Sequence, residues 1–179
     1  SLTAPEENLE DAKPNRYGFT TQSFIESGVG GEGVRAFGNR LPDPMRPEVQ
    51  AWLIRHVREI AERCKSGSCY QGIGFRVNGK IGLCYTSWED QFDDRKVVRS
   101  AAEAGYSRWN LEQFRQDTGL AVPLDPTAAY TKLRSDAKTW DKWLDFRCRR
   151  TRDLWLKVRD VVRSYRPDWR LYVLTDLPS

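Results

Sequence analysis

The most regular hydrophobic pattern in the chain lies between Trp140 and Thr175, which reads WDKWLDFRCRRTRDLWLKVRDVVRSYRPDWRLYVLT. One helix face, with a three- and four-residue period, is predicted by Trp140, Trp143, Leu144, Arg147, Thr151, Leu154, Val158, Val161, Val162 and Tyr165. The helix is predicted to end at Arg166-Pro167-Asp168, because proline cannot continue it. Leu171-Tyr172-Val173-Leu174 follows as an uninterrupted apolar run, which is typical of a strand buried on both faces of a parallel sheet.

A second helix is predicted over residues 48–64. Pro47 suits the first helical position, and Glu48 suits the positive end of the helix dipole. The buried face is predicted to consist of Val49, Leu53, Val57, Ile60, Ala61 and Cys64, which recur at helical spacing. The single histidine, His56, lies off this face, so we interpret it as a partly exposed helix residue and not as a catalytic one.

Two strands are predicted upstream of the final helix. Segment 16–25 is rich in β-branched and aromatic residues, and a glycine cluster at 28–33 ends it as a loop, since the spacing of a phosphate-binding motif is absent. Segment 70–77 alternates apolar with small residues, which places Ile73, Phe75 and Val77 on one face. These segments supply the strands that precede Leu171–Leu174.

A shorter helix is predicted over 107–117. Leu111 and Phe114 are expected to point inward, and Gly119 is expected to close the helix in a left-handed conformation. The connection from Asn78 to Gly105 is long and rich in aromatic residues, which is common in functional or disordered loops.

The element order is strand, helix, strand, helices, strand, which predicts an α/β fold with parallel strands and helical crossovers. Residues 1–15 are polar and are predicted to be a flexible lead-in, and 16–179 to be one domain. A (β/α)₈ barrel takes about 250 residues, so the chain is expected to form part of such a barrel. The alternative is a small open parallel sheet. The chain begins at Ser1 without methionine, which we interpret as excision from a larger protein.

Composition excludes several classes of protein. With 39% apolar and 12% aromatic residues, the 179-residue chain can form a sizeable core, and its net charge of +4 is only a weak indication of nucleic acid. It contains no run of about 18 apolar residues, so no membrane span is predicted. The four cysteines lack paired C-x-x-C spacing, so no metal site is predicted. Cys64 and Cys69 could form a short-loop disulfide or remain free thiols.

Residues 97–165 resemble bacterial glycoside-hydrolase-like barrel proteins, which are related to the barrels of the beta-galactosidase type. The resemblance depends on Ala104-Gly105-Tyr106, on 110–119 with Val122-Pro123, and on 140–147; segments 42–49 and 71–75 extend it over 39–176. It implies a (β/α)₈ barrel that binds or hydrolyses carbohydrate without a cofactor, in a periplasmic or secreted protein. The chain departs from the family at 75–78, which reads Phe-Arg-Val-Asn where related barrels often carry an acidic residue.

The resemblance implies that the catalytic groups are carboxylates at strand ends. Glycoside hydrolysis generally uses two carboxyl groups, and a barrel presents them at the carboxyl-terminal ends of its strands. Asp176 directly follows the last predicted strand and Glu26 follows the first, so both are predicted to be catalytic. The alternative for Asp176 is a capping role at the next turn.

Substrate-binding residues are predicted in and near the long loop. Tyr85 and Trp88 are adjacent to Glu89 and Asp90, and aromatic faces beside polar groups suit sugar rings. A surface loop packed by its own aromatic residues is the alternative. Two further candidates lie at the end of strand 70–77. Arg76 could contact a bound group or pair with a structural carboxylate, and Asn78 could bind a hydroxyl or close a turn.

A second function is suggested by the basic residues of the last helix, which are Lys142, Arg147, Arg149, Arg150, Arg152, Lys157, Arg159 and Arg163. Together with Trp140, Trp143 and Trp155 they could bind nucleic acid or an acidic partner. Interspersed aspartates make a salt-bridged amphipathic helix an equally good explanation. Nucleic acid is therefore not expected as a partner, and the sequence predicts no oligomeric state.

Overall fold

The described part of the chain, in a computed structural model, comprises residues 35–36, 39–40, 43–77, 88–89, 98–99 and 101–175. The predicted lead-in 1–15 and the predicted strand 16–25 lie outside it. So do five predicted site residues, namely Glu26, Asn78, Tyr85, Asp90 and Asp176.

Helices make up most of the described chain. In chain order the elements are β1 (Arg35–Ala36), β2 (Asn39–Arg40), α1 (Pro47–Cys64), β3 (Gly72–Val77), β4 (Trp88–Glu89), β5 (Val98–Arg99), a 3₁₀ turn (Ala101–Glu103), α2 (Arg108–Thr118), α3 (Pro126–Arg134), α4 (Ala137–Tyr165) and β6 (Arg170–Thr175). β1–β2 and β4–β5 are antiparallel pairs of two residues each, whereas β3 and β6 form a longer parallel pair.

The helix predicted over residues 48–64 is confirmed as α1, with proline at its amino terminus and Glu48 in its first turn. Of the predicted inward residues, Val49, Leu53, Val57 and Ala61 are buried and Cys64 is half-buried, as expected. Trp52, which was not predicted, is also buried. The prediction that Ile60 is buried is wrong, because its side chain is 48% exposed. Ile60 has the correct spacing, but no element of the described chain covers it.

Capping residues determine where the two shorter helices, α2 and α3, begin and where α2 ends. Ser107 caps α2 by accepting a hydrogen bond from the Asn110 backbone N–H at 3.3 Å. Gly119, with φ of 69°, ends it as predicted, in a conformation that favours glycine. α3 was not predicted, although its start has a clear signal: Asp125 accepts from the Ala128 N–H at 2.8 Å and proline follows it.

α4 is the longest element and contacts all the other helices. Its carboxyl-terminal half buries Leu154, Val158 and Val162, as predicted. In its amino-terminal half Phe146, which lies off the predicted face, is buried, whereas Leu144 is 36% exposed and its predicted burial is wrong. The buried face shifts around the helix because the first half packs against α2 and α3, and the second half packs against α1 and the sheet.

β3 and β6 confirm the predicted parallel strands with a helical connection. Their register runs from Gly72 opposite Arg170 to Val77 opposite Thr175. Gly72 has a φ of 151°, and a Cβ atom there would lie 1.9 Å from the Arg170 carbonyl oxygen. This position therefore requires glycine.

One face of this sheet is covered by helices and the other is open. Ile73, Phe75 and Leu171 pack against α1 and α4. The predicted burial of the last strand on both faces is wrong. Tyr172 and Leu174, on the open face, are 40% and 59% exposed, and Val173, which shares a face with Leu171, is 46% exposed. Within the described residues β6 pairs with β3 alone, so nothing covers its second face or outer edge. The architecture shown is mixed α/β with a small parallel sheet, which fits the open-sheet alternative.

Two separate hydrophobic cores result. The aromatic cluster, formed by α2, α3 and the first half of α4, contains Tyr106, Leu111, Phe114, Val122, Ala129, Leu133, Trp143 and Phe146. The α/β cluster, formed by α1, the second half of α4 and the sheet, contains Met45, Val49, Trp52, Leu53, Val57, Ala61, Ile73, Leu154, Val158, Val162 and Trp169. Cys64, which packs against the α/β cluster, and the exposed Cys69 are both free thiols.

Candidate functional site

The carboxyl-terminal edge of the β3–β6 sheet is where the sequence predicts catalysis. The last paired residues are Val77 and Thr175, and the predicted residues Asn78 and Asp176 come next in sequence. The backbone of Arg76 pairs with Leu174 in this sheet. Trp88 and Glu89 belong to a different ladder, opposite Arg99 and Val98. The described backbone therefore brings Arg76, but not Trp88 or Glu89, into the parallel sheet.

A buried polar junction connects the start of α1 to the start of α2. Asp43 is 1% exposed, and its Oδ2 atom accepts hydrogen bonds from Ser107 Oγ and Asn110 Nδ2, both at 2.8 Å. Its Oδ1 atom accepts from the Met45 backbone N–H at 3.0 Å. We call this arrangement the Asp43 junction. Hydrogen bonds from several donors compensate the cost of burying the carboxylate.

The Asp43 junction was not predicted from the sequence. Its local signal was Asp43 between two prolines, which indicates a turn, and Ser107 before a helix, which indicates a cap. The contact between them spans more than sixty residues, and sequence spacing does not reveal it. Because its donors are fully engaged in joining the two helices, we assign the junction a structural role.

Tyr106 and Arg147 are buried titratable groups in or beside the aromatic cluster. The Tyr106 hydroxyl donates to the Ala102 carbonyl oxygen at 2.9 Å. Burial raises the pKa of Tyr106 to about 12, while the positive charge of Arg147 opposes that rise. The phenol therefore stays protonated at neutral pH. Arg147 is only 6% exposed, with its guanidinium 5.9 Å from the Trp143 ring centroid, so it does not contribute to an exposed basic surface.

A groove of about 450 Å³ lies between α4 and the beginning of β6. Its charged lining consists of Arg152, Arg159 and Arg163 from α4 and Arg170 from β6, and its apolar lining of Trp155, Leu156 and Leu171. We call it the arginine groove. The sequence predicted a basic helix with Trp155 but not its meeting with β6, because Arg170 comes from a separate element.

Ion pairs neutralise much of the basic character of α4. Arg149 pairs with Asp145 at 2.8 Å, and Arg150 pairs with Asp117 of α2 at 3.3 Å. Within the arginine groove, Arg152 and Arg159 pair with the aspartates that directly follow them, at 2.9 and 2.7 Å. In the described part of the chain, Arg163 and Arg170 form no ion pair. The uncompensated positive charge of the groove thus belongs to these two residues.

The described residues contain no cluster of three or more histidine, cysteine, aspartate or glutamate residues arranged to hold a metal ion. Nor do they contain a helix whose length and apolar character would let it cross a bilayer.

Comparison with known proteins yields no relative. The chain matches no family model, no curated protein and no solved structure.

Proposed function

We propose that the chain is part of a (β/α)₈ barrel that binds or hydrolyses a carbohydrate, with β3 and β6 as neighbouring strands. The observation that supports this most strongly is the parallel register from Gly72–Arg170 to Val77–Thr175. Helices cover one face of the pair, and Tyr172 and Leu174 on the other are open, as expected where further strands complete a barrel.

The proposed chemistry lies at the carboxyl-terminal ends of the strands. Barrel enzymes carry their catalytic groups there, and Asp176 directly follows Thr175, the last paired residue of β6. We propose Asp176 and Glu26 as the two carboxyl groups, one donating a proton to the leaving oxygen and the other acting as base or nucleophile.

The remaining predicted residues are proposed to bind the sugar. Tyr85 and Trp88 would contact the C–H faces of the ring. Hydroxyl groups would be hydrogen-bonded by Arg76, Asn78, Glu89 and Asp90. In this scheme the loop that follows β3 forms the wall of the binding site.

The alternative, an extended nucleic-acid surface on α4, is less well supported. Such a surface requires many free cations, yet Arg149 and Arg150 are in ion pairs and Arg147 is buried. Asp145, Asp153 and Asp160 would also repel a phosphate backbone. For these reasons we favour carbohydrate over nucleic acid.

The test uses the full-length natural protein with a panel of 4-nitrophenyl glycosides. We expect Asp176→Asn and Glu26→Gln each to lower kcat by about 10²- to 10⁴-fold, the range for loss of a general acid or base. Asp153→Asn, on the exposed side of α4, is the matched control and should retain full turnover. Unchanged turnover in both variants would remove them as catalysts, and a protein that neither hydrolyses nor binds any glycoside would end the proposal.

The barrel itself is tested separately by the natural open reading frame and a crystal structure of its product. The proposal requires a further strand on the outer edge of β6, beside Tyr172 and Leu174. A complete protein in which that edge faces solvent would contradict it.

A further inference from the structure

The arginine groove is distinct from the edge proposed for glycoside chemistry. It contacts Arg170 and Leu171 at the beginning of β6, whereas Asp176 follows the end of that strand. A strand rises about 3.3 Å per residue, so the two ends of β6 lie roughly 16 Å apart. A ligand in the groove would therefore lie at the opposite end of β6 from Thr175, the residue that precedes Asp176.

The charges of the groove favour a compact anion. Arg163 on α4 and Arg170 on β6 line the groove from different elements, so an anion bound between them would be contacted from two sides. Both side chains are exposed, and neither has an acidic partner within the described residues. Guanidinium groups bind phosphate oxygens through paired, charge-assisted hydrogen bonds.

The apolar lining favours an organic group attached to that anion. Leu156 is 38% exposed beside the groove, and Leu171 and Trp155 complete the lining. The Trp155 ring is held by an edge-on contact with Phe75, with centroids 5.3 Å apart. A bare inorganic anion would leave these side chains in water, whereas a ring would cover them.

The size of the groove and the acidic residues beside it favour a small ligand over a long polyanion. Its volume of about 450 Å³ is in the usual range for a small-molecule site. A polymer extending along α4 would meet the exposed carboxylates of Asp153 and Asp160. The ligand that fits is therefore small.

We propose that the arginine groove binds a small phosphate ester, with the phosphate between Arg163 and Arg170 and the organic ring against Trp155 and Leu156. Two sources share this chemistry, a phosphorylated sugar and a mononucleotide. Both combine a dianionic phosphate with a ring of suitable size.

Isothermal titration calorimetry of the full chain at low salt distinguishes these sources. The probes are glucose 6-phosphate and adenosine monophosphate, with glucose, adenosine and inorganic phosphate as controls. We expect at least one ester to bind more tightly than its unphosphorylated ring and than inorganic phosphate, and the tighter ester identifies the source.

Two sets of variants locate the binding. Arg163→Gln combined with Arg170→Gln should weaken ester binding at least about tenfold, since hydrogen bonds to charged groups are among the strongest. Arg149→Gln combined with Arg150→Gln removes the same charge outside the groove and should leave affinity unchanged. Leu156→Ala should weaken the ester but not inorganic phosphate. Circular dichroism verifies that each variant is folded.

Three results would overturn the proposal. Neither ester binds, inorganic phosphate binds as tightly as the esters, or the control pair weakens binding as much as the groove pair. None of these results depends on glycoside turnover, so they are independent of the proposed hydrolase function.

Discussion

The aromatic cluster and the α/β cluster share α4 but differ in how they are closed. In the aromatic cluster every member is at most 4% exposed, and Trp143 contacts the rings of Tyr106, Phe114 and Phe146 at 5.2 to 5.6 Å. In the α/β cluster the residues of α1 are also buried, but the sheet leaves Tyr172, Val173 and Leu174 exposed.

This difference has a physical origin. A helix satisfies its backbone hydrogen bonds internally and needs only one covered stripe, so three helices can enclose a core. A strand has two edges and two faces, and these need several neighbours. The aromatic cluster is complete within the described residues, whereas β6 has an open face and an open edge.

Replacing the central ring of the aromatic cluster should have the largest effect. Trp143 is fully buried, and we expect Trp143→Ala to lower the free energy of unfolding by about 3–5 kcal/mol through loss of contacts and a cavity. Urea unfolding followed by circular dichroism measures the loss.

The matched change on the open sheet is Tyr172→Ala. Its side chain is 40% exposed, so its loss should cost about 1 kcal/mol or less, the span of strand propensities. Equal losses in the two variants would show that the open face is covered in solution and that the contrast between the clusters is wrong.

An intermediate effect is expected where the clusters are joined. Asp43 precedes Met45 of the α/β cluster and accepts from Ser107 and Asn110 of α2. Asp43→Ala should cost about 1–3 kcal/mol, because it leaves buried donors without an acceptor. The same urea unfolding measures it.

Asp145→Ala is the control for Asp43. It breaks an exposed ion pair with Arg149, which typically contributes at most about 1 kcal/mol. A double-mutant cycle of Asp43→Ala and Asn110→Ala should show strong coupling. Additive losses would mean that the two side chains act independently and that the junction does not join the clusters.

The smallest effect concerns the amino terminus of α4, which supports the aromatic cluster. Hydrogen bonds from the Thr139 hydroxyl and backbone N–H lower the pKa of Asp136. A folded pKa below the unfolded one stabilises the protein fully above the ordinary aspartate pKa of about 3.9. This stabilisation is lost as the pH falls through the folded pKa.

We therefore expect the urea midpoints of wild type and Asp136→Ala to differ near neutral pH and to converge in acid. Asp136→Asn keeps an oxygen acceptor without a titratable group, so its midpoint should not show the same acid-dependent loss. A gap between wild type and the alanine variant that stays constant from neutral to acidic pH would exclude this capping contribution.

Helix positions were the most predictable part of the fold, because their signals are local. Pro47 and Gly119 mark ends that the structure reproduces. The start of α3, which was not predicted, also has a local signal, since Asp125 caps the helix and Pro126 follows it. The exposure of Ile60 and Leu144 could not have been foreseen, because periodicity identifies a face of a helix without showing what packs against it.

The candidate sites differ in the same way. The strand-end carboxylates follow from the order of elements along the chain, and they remain predictions. The Asp43 junction and the arginine groove each combine residues from different elements, namely Arg163 of α4 with Arg170 of β6, and Asp43 with Asn110, which is 67 residues away in the sequence. Their chemistry became visible only when the elements were placed together.

By itself, the sequence determined where α1, α2, α4, β3 and β6 form, because spacing, caps, prolines and glycines act over a few residues. The tertiary structure alone decided which faces are covered, that α4 serves two cores, and that β6 remains open with an arginine groove at its start. Burial and charge compensation are properties of neighbours in space, and most of those neighbours are contributed by other elements of the chain.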